Sequence, residues 1–236
     1  MPTSAPALVV AVDGPSGSGK SSVSREVARR FGLAYLDTGA MYRAVTWWCL
    51  DQGVDLHDQA AVLEAVRAVP LVMGTDPGAP SVHVGGVDVG RAIRETRVSE
   101  QVSAVATNLA VRALMRDLQR SLIHASPRGT VAEGRDITTV VAPDADVRVL
   151  LTASEQARLE RRARELHGTA DADAVEATRD QVVRRDRDDS TVSQFVKAAD
   201  GVVTVDSSSM GLAEVVDAVV RLVTERTGRV PDPVST

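Results

Sequence analysis

A glycine-rich loop near the start of the chain carries the residues best suited to chemistry. Residues 14–21 fit the pattern G-x-x-x-x-G-K-[ST]. Glycines let successive main-chain N–H groups turn towards phosphate oxygens, and a helix that begins at the loop adds partial positive charge. We expect Lys20 to bridge the β- and γ-phosphates of a nucleoside triphosphate, and the Ser21 hydroxyl to ligate Mg²⁺. The residues predicted to line the phosphate site are Gly14, Pro15, Ser16, Gly17, Ser18, Gly19, Lys20, Ser21 and Ser22.

The segments around this loop fit the same prediction. Residues 8–12 form a continuous apolar run, which is typical of a strand buried on both faces. After the loop, Val23, Val27 and Phe31 recur every fourth residue, which indicates a helix over about residues 21–30. Strands alternate with helices in the rest of the chain, so we predict an α/β fold with a central parallel sheet flanked by helices. Further strands are predicted at 34–36, 130–132, 147–151 and 202–205, and the last helix at 212–227.

The middle of the chain departs from this alternation. Between residues 70 and 90, short β-branched pieces are separated by turn residues, and Gly85-Gly86 between apolar stretches is a hairpin signal. We predict a small antiparallel β insert there. One helix over 91–106 and another over 108–125 follow, with Asn108 as the N-terminal cap of the second.

Composition narrows the class of protein. The chain has 236 residues, of which 44% are hydrophobic and 25% charged, as is usual for a folded domain. A net charge of −5 argues against a protein that coats nucleic acid or an anionic membrane. The single cysteine, Cys49, excludes an intrachain disulfide and fits a reducing compartment. There is no basic leader and no apolar run near the ~20 residues that span a bilayer, so we expect a cytoplasmic protein with no membrane segment.

The glycine-rich loop does not identify the phosphoryl acceptor. A GTPase would carry a guanine-reading N-K-x-D segment, and none is present, since Lys197 is followed by two alanines. A small kinase remains, whose acceptor-binding residues must lie further along the chain. A phosphate acceptor needs no general base, because a nucleotide monoester with a second pKa near 6 is already largely a dianion at pH 7.

Motifs along nearly the whole chain resemble those of the bacterial cytidylate kinases. They occur in the family's order at Gly14–Ser22, Leu36–Arg43, Ala110–Arg112, Glu133–Asp136 with TVVAPDA close behind, and Arg184–Ser190. The resemblance implies transfer of the γ-phosphoryl group of ATP to CMP or dCMP, giving ADP and CDP or dCDP, with Mg²⁺ as cofactor. It implies a three-layer P-loop fold and the small-molecule substrates CMP and dCMP. We also expect a monomer without nucleic-acid or membrane partners. The implied domains are a core of 1–36, 126–153 and 197–236, a nucleoside-monophosphate-binding region of 37–125, and a lid of 154–196.

The resemblance assigns the phosphate of the acceptor to a group of arginines and hydroxyls. Thr38, Arg43 and Arg135 match the family's phosphate-holding positions, and Tyr42 offers a further hydroxyl. Arg185 matches a position that contacts the acceptor nucleotide. Arg135 comes directly after a predicted buried strand, where ligands gather in open α/β sheets.

A second group of residues is assigned to the base and the ribose. Ser103, Arg112 and Asp136 match the cytosine-reading positions, and Asp189 matches a position that contacts the ribose hydroxyls. A carboxylate accepts from the cytosine amino group, and an arginine donates to the ring nitrogen and the carbonyl. Uracil carries a carbonyl in place of the amino group, so it would leave the carboxylate without a donor. Spacing in the sequence does not by itself group these residues.

Arginines are dense between residues 158 and 187. We predict a mobile lid in which Arg158 and Arg162 contact the transferring phosphoryl group. A solvent-facing helix surface is an equal alternative for Arg161, Arg164 and Arg179.

Three positions leave questions open. Many relatives carry an arginine about three residues after the position of Asp189, where this chain has Ser190–Val192, so the contact is lost or Arg187 supplies it. Relatives tend to have glycine where Thr138 stands, which puts the turn after residues 133–136 in doubt. Glu133 either contacts Mg²⁺ through water or makes a structural hydrogen bond.

Two other functions fit the glycine-rich loop. One is a small P-loop kinase that acts on a different phosphate or hydroxyl acceptor, such as shikimate. The other is a regulator that binds a nucleotide without turnover. The β insert and the combination of Arg112 with Asp136 favour a nucleotide acceptor, and release of ADP on addition of CMP separates the kinases from the regulator.

Overall fold

The strands form two sheets. A computed structural model describes residues 6–233, apart from the side chains of Glu165, His167, Asp180, Gln181 and Arg185. The strands are β1 (Leu8–Asp13), β2 (Ala34–Asp37), β3 (Leu71–Gly74), β4 (Ser81–Val84), β5 (Val87–Asp88), β6 (Gly129–Gly134), β7 (Val147–Thr152) and β8 (Val203–Asp206). A parallel sheet runs in the order β2-β6-β1-β7-β8, and β3-β4-β5 is antiparallel. The predicted central parallel sheet and β insert are therefore confirmed.

Helices cover both faces of the parallel sheet. They are α1 (Lys20–Phe31), α2 (Thr38–Asp51), α3 (Gln59–Ala68), α4 (Thr96–Ser99), α5 (Val102–Ala106), α6 (Leu109–Ala125), α7 (Glu155–His167), α8 (Ala172–Ser190) and α9 (Leu212–Thr227). On β1, Val10 packs in the cluster that includes α1 and α9, whereas Ala11 packs with α2, α3 and α6. This alternation is the period of two that a strand buried on both faces requires. No helix within residues 6–233 has the length and apolar character needed to cross a bilayer.

Residues 91–106 do not form the single predicted helix. A short 3₁₀ turn at Ala92–Arg94 is followed by extended Glu95 and then by α4 and α5. Ile93 packs against the β insert, whereas Val105 packs in the cluster beneath α2 and α6. Residues twelve positions apart on a straight helix point about 120° away from each other, so one helix would not bury both side chains. The prediction for α6 is confirmed, since the Asn108 side chain accepts from the N–H groups of its first turn.

Two loops at the carboxyl ends of β1 and β6 meet through Asp13. Its carboxylate accepts from the main-chain N–H groups of Ile137 and Thr138 at 2.9 and 2.8 Å, and from the Thr138 hydroxyl at 2.6 Å. The segment after β6 is a π-helical turn, Ile137–Val141, which the sequence did not predict. Thr138 therefore does not disturb this turn, because its hydroxyl adds a hydrogen bond to it. Despite these donors, burial raises the pKa of Asp13 to about 6.

Candidate active site

The phosphate loop, residues 14–19, joins β1 to α1. Gly17 has a φ of +76°, and a Cβ atom there would lie 2.7 Å from the carbonyl oxygen of Arg158, so the loop packs directly on the backbone of α7. The Lys20 ammonium donates to the carbonyl of Pro15 at 2.8 Å. Residues 17–22 line a cavity of about 920 Å³, together with Arg161 and Arg162, whereas residues 14–16 lie outside its wall.

Beside Lys20, a buried polar cluster forms around Glu133. The Tyr35 hydroxyl donates to Glu133 Oε1 at 2.6 Å, and the Ser21 hydroxyl also bonds to this carboxylate. Burial raises the pKa of Glu133 and the nearby Asp37 carboxylate raises it further, while Lys20 acts in the opposite direction. Burial also raises the pKa of Tyr35. Glu133 makes the structural hydrogen bond that was one of its two predicted roles.

A second pocket, which we call the acceptor pocket, lies beside this cavity. Its volume is about 50 Å³, and two ion pairs, Arg112 with Asp136 and Arg135 with Asp189, join residues of its wall. It is lined by Thr38, Gly39, Tyr42, Val102, Ala106, Arg112, Gly134, Arg135, Asp136, Asp189 and Ser193.

One wall of the acceptor pocket pairs Arg112 of α6 with Asp136. The guanidinium forms an ion pair with the carboxylate and donates to the Ser193 hydroxyl at 2.9 Å. Burial raises the pKa of Asp136, and Arg112 opposes that shift. Two of the three predicted base-reading residues are therefore in contact. The third, Ser103, lies on α5 and reaches Asp189 with its hydroxyl at 3.5 Å.

The other wall holds Arg135 between two carboxylates of α8. Its Nε atom lies 2.5 Å from Asp189 Oδ2, and its Nη1 atom lies 3.0 Å from Asp186 Oδ1. The guanidinium carbon stacks 4.5 Å from the ring centre of the buried Phe195. These contacts fix both the position and the plane of the guanidinium.

Helix α2 contributes three predicted residues around the same pocket. The Thr38 hydroxyl donates to the carbonyl of Glu133 at 2.7 Å. Burial raises the pKa of Tyr42 from 10.0 to about 12. Arg43 pairs with Asp37 at 3.2 Å and lies outside the pocket wall. It sits between the two cavities, since Asp37 lines the larger one and a Cβ on Gly39, which lines the smaller one, would lie 3.3 Å from Arg43 Nη1.

Helix α7 brings its arginines to the phosphate loop. Arg158 donates to the carbonyl of Ser16 at 3.0 Å and pairs with Asp186. Arg161 is not on a solvent-facing surface, because it donates to the carbonyls of Ser18 and Ser207 at 3.3 and 2.6 Å. Arg164 and Arg179 do face solvent, where they pair with neighbouring acids.

Helix α8 carries two arginines of the predicted lid, Arg185 and Arg187. Arg187 does not replace the arginine that relatives carry after Asp189, since its side chain is 73% exposed and it pairs with Asp188. The side chain of Arg185 lies outside the described part of the chain, so its predicted contact with the acceptor stays a prediction.

Several buried polar atoms in this region have no hydrogen-bond partner among the described residues. They include Ser18 Oγ of the phosphate loop, Arg43 Nε and Arg158 Nε. Leaving buried polar groups unpaired is costly in a folded protein. Atoms of this kind around a phosphate loop fit a site that holds a multiply charged anion.

The sequence analysis missed Tyr35 and Asp37 beside Lys20, and Asp186, Ser193 and Phe195 around the acceptor pocket. Asp186 offered a signal, because it lies three positions before Asp189 and the two carboxylates therefore share one face of α8. Ser193 and Phe195 follow α8 in an irregular segment, where no periodicity indicates direction.

Comparison with known proteins decides the family. The model of the family described as cytidylate kinase matches residues 10–225 of this chain. The chain belongs to the cytidylate kinase family. Among curated cytidylate kinases, the chain is 48% identical to that of Streptomyces avermitilis, with 94% of each chain covered. It is also 48% identical to that of Rhodococcus jostii, with 94% of this chain and 96% of the other covered. The predicted family and the predicted class of enzyme, a P-loop kinase, are thereby confirmed.

A solved structure supports the fold. An uncharacterized protein from Eubacterium ventriosum shares 9% sequence identity and has a TM-score of 0.52, with 93% of this chain and 99% of that chain covered. At this identity the likeness concerns the fold alone. The roles of residues in this member of the cytidylate kinase family are therefore argued from its own side chains.

Proposed function

We propose that the two pockets divide the work of one reaction, the transfer of the γ-phosphoryl group of ATP to CMP or dCMP. The reaction is that of the family to which the chain belongs. The phosphate loop and Lys20 hold the triphosphate, and the acceptor pocket holds the monophosphate. The observation that carries this assignment is a convergence: Arg135 of the acceptor pocket and Arg158 beside the phosphate loop reach one carboxylate, that of Asp186.

The main task of such a site is to bring two polyanions together. Two like unit charges about 4 Å apart repel by about 1 kcal/mol in water and by about 4 kcal/mol near a protein surface. The cations of Lys20, Arg43, Arg135 and Arg158 offset this repulsion and orient the acceptor oxygen towards the γ-phosphorus. Arg162 and Arg185 are proposed to join them from α7 and α8. Since the acceptor phosphate is already largely ionised at pH 7, no side chain has to remove a proton.

Arg112 and Asp136 are proposed to read the cytosine ring. The carboxylate accepts from the amino group, and the guanidinium donates to the adjacent acceptors. Ser193 and Ser103 support this wall, because one accepts from Arg112 and the other bonds to Asp189. Asp189 is proposed to exchange its contact with Arg135 for the ribose hydroxyls.

Mg²⁺ is proposed to bind beside Ser21. The Ser21 hydroxyl, Glu133 and Asp37 supply the oxygen ligands that this ion prefers. Residues 6–233 contain no cluster of three or more His, Cys, Asp or Glu side chains able to hold a metal alone. The phosphates of ATP and water would complete the ligands, and the bound ion would neutralise part of the triphosphate's charge.

The division into core, monophosphate-binding region and lid, a monomeric state and a cytoplasmic location are kept as proposals. The buried free thiol of Cys49 supports a reducing compartment. Hydrogen exchange with saturating ATP and CMP is expected to protect mainly residues 37–125 and 154–196, and sedimentation is expected to give one chain of 25.0 kDa.

An acceptor panel under ATP and Mg²⁺ tests the function directly. Release of ADP is expected to accelerate with CMP and dCMP, to accelerate less with UMP, and to stay at background with shikimate. A protein that binds ATP but shows no acceptor-dependent ADP release would be a regulator and would contradict the proposal.

A further inference from the structure

Asp186 is placed where a phosphate group would be expected. One carboxylate oxygen accepts from the main-chain N–H of Ser16 and from Arg135, each at 3.0 Å. The other oxygen forms an ion pair with Arg158. The side chain is only 15% exposed, whereas that of Asp188, two positions along the same helix, is 36% exposed.

The donors around Asp186 come from three separate parts of the fold. Ser16 lies in the phosphate loop after β1, Arg135 follows β6, and Arg158 lies on α7. A loop amide and two guanidinium groups are the donors with which proteins bind phosphate. The Asp186 carboxylate is a counter-ion of both arginines, and Asp189 is a second counter-ion of Arg135.

The same donors are assigned to the phosphates of the substrates. The Asp186 carboxylate and a substrate phosphate therefore cannot bind to them at the same time. Arg135 lines the acceptor pocket of about 50 Å³ and is ion-paired there with Asp186 and Asp189 of α8. Arg158 and Ser16 flank the triphosphate site. A phosphate that takes these hydrogen bonds must therefore first separate Asp186 from them.

We propose that Asp186 competes with phosphate for this site and acts as an internal stand-in for the phosphate group. This inference rests on the proposed function, because it takes Arg135 and Arg158 as phosphate-binding residues. Asp186 holds the two arginines close together and near the phosphate loop, and it reduces the affinity for phosphates that must displace it. The position of α8 is thereby coupled to the occupation of the phosphate site.

The test measures binding of inorganic tripolyphosphate, which has no base or ribose to contact the rest of the acceptor pocket. The Asp186→Asn variant keeps the shape of the side chain and removes its charge, so tripolyphosphate is expected to bind about three- to tenfold more tightly than to the wild type. Asp188→Asn is the matched control, because it removes the same charge two residues away on α8, at a half-buried carboxylate that pairs with Arg187. That control is expected to bind like the wild type, and Asp186→Glu, which retains the charge, is expected to bind no more tightly than the wild type.

Equal or weaker binding by Asp186→Asn would overturn the inference, as would an equal gain in Asp188→Asn. A second measurement needs no variant: the ¹³C resonance of the Asp186 carboxylate in the wild type is expected to shift when tripolyphosphate is added. A resonance that stays in place at saturation would also overturn it. Failure of the proposed function is distinguished by the acceptor panel, since a wild type without CMP-dependent ADP release would fail there whatever Asp186 does.

Discussion

The guanidinium of Arg112 and the carboxylate of Asp136 form an ion pair across 24 residues of sequence. One residue comes from the second turn of α6, and the other comes from the loop after β6. Together they present N–H donors beside a carboxylate acceptor on one wall of the acceptor pocket. The proposed reading of cytosine rests on this order, since a carboxylate accepts from the cytosine amino group and meets a carbonyl in uracil.

Replacing Asp136 by Asn is expected to reduce the preference for CMP over UMP. The carboxamide can donate to the uracil carbonyl, whereas the carboxylate cannot, and one base contact of this kind is worth about 1–3 kcal/mol. The ratio of kcat/KM for CMP to that for UMP should fall about 5- to 150-fold. The exposed Asp117→Asn variant serves as the control. An unchanged ratio in Asp136→Asn would exclude this residue from base recognition.

Replacing Lys20 by Ala is expected to remove most of the turnover while CMP binding changes little. The ammonium lies in the phosphate loop and contributes to the charge balance of the transferring group, where loss of one such group costs about 10²- to 10³-fold in kcat. Steady-state kinetics and CMP titration measure the two quantities. Lys197→Ala removes the only other lysine of the chain, which is exposed, and should retain activity. A fully active Lys20→Ala enzyme would refute the role.

Replacing Gly17 by Ala is expected to weaken ATP binding. The positive φ costs about 1–2 kcal/mol for a residue with a Cβ, and this Cβ would also lie 2.7 Å from the Arg158 carbonyl oxygen and push the loop from α7. Gly53→Ala is the control, because it has a similar φ of +68° with no atom within 4 Å. The KM for ATP should rise in Gly17→Ala alone, and equal KM values in the two variants would show that the contact with α7 does not matter.

The raised pKa of the buried Asp13 leads us to expect that the free energy of unfolding depends on pH. Its pKa is raised from 3.8 to about 6, so between these values the folded protein binds a proton that the unfolded chain has released. Stability from this group is therefore present below about pH 4 and is lost as the pH rises towards 6.

Urea unfolding of the wild type and of Asp13→Asn measures this effect. The wild type should lose up to about 3 kcal/mol relative to the variant between pH 4 and 7. The difference between the two proteins isolates Asp13 from other titrating groups. A constant difference, or one that moves in favour of the wild type as the pH rises, would contradict the assignment.

Most of the fold was predictable because the hydrophobic pattern of each strand and helix matches the face that the element buries. The apolar run before the phosphate loop becomes β1, and the residues predicted for the last helix, 212–227, form α9. The prediction of one helix over residues 91–106 was wrong because Ile93 and Val105 pack in different hydrophobic clusters. Hydrophobic spacing does not reveal which cluster a side chain joins.

The candidate site was predictable only in part. The phosphate loop is a local motif, so its residues could be identified from spacing. Arg112 and Asp136 were grouped through the family resemblance, because contacts between distant segments leave no mark on spacing. Asp186, Ser193 and Phe195 make such contacts and were missed, and the position of Arg43 between the two cavities also depended on tertiary structure.

The most direct test of the account compares binding of CMP and cytidine to the wild type and to Arg135→Ala. Charge-assisted hydrogen bonds contribute about 1.5–3 kcal/mol each, so the variant should lose about 10- to 100-fold of the affinity advantage that CMP has over cytidine. Cytidine lacks the phosphate, so its affinity corrects for any effect of Asp186 and Asp189 losing Arg135 as a partner. The exposed Arg67→Ala variant should retain the full advantage. An Arg135→Ala protein with the same ratio of CMP to cytidine affinity as the wild type would contradict the claim that this guanidinium holds the acceptor phosphate.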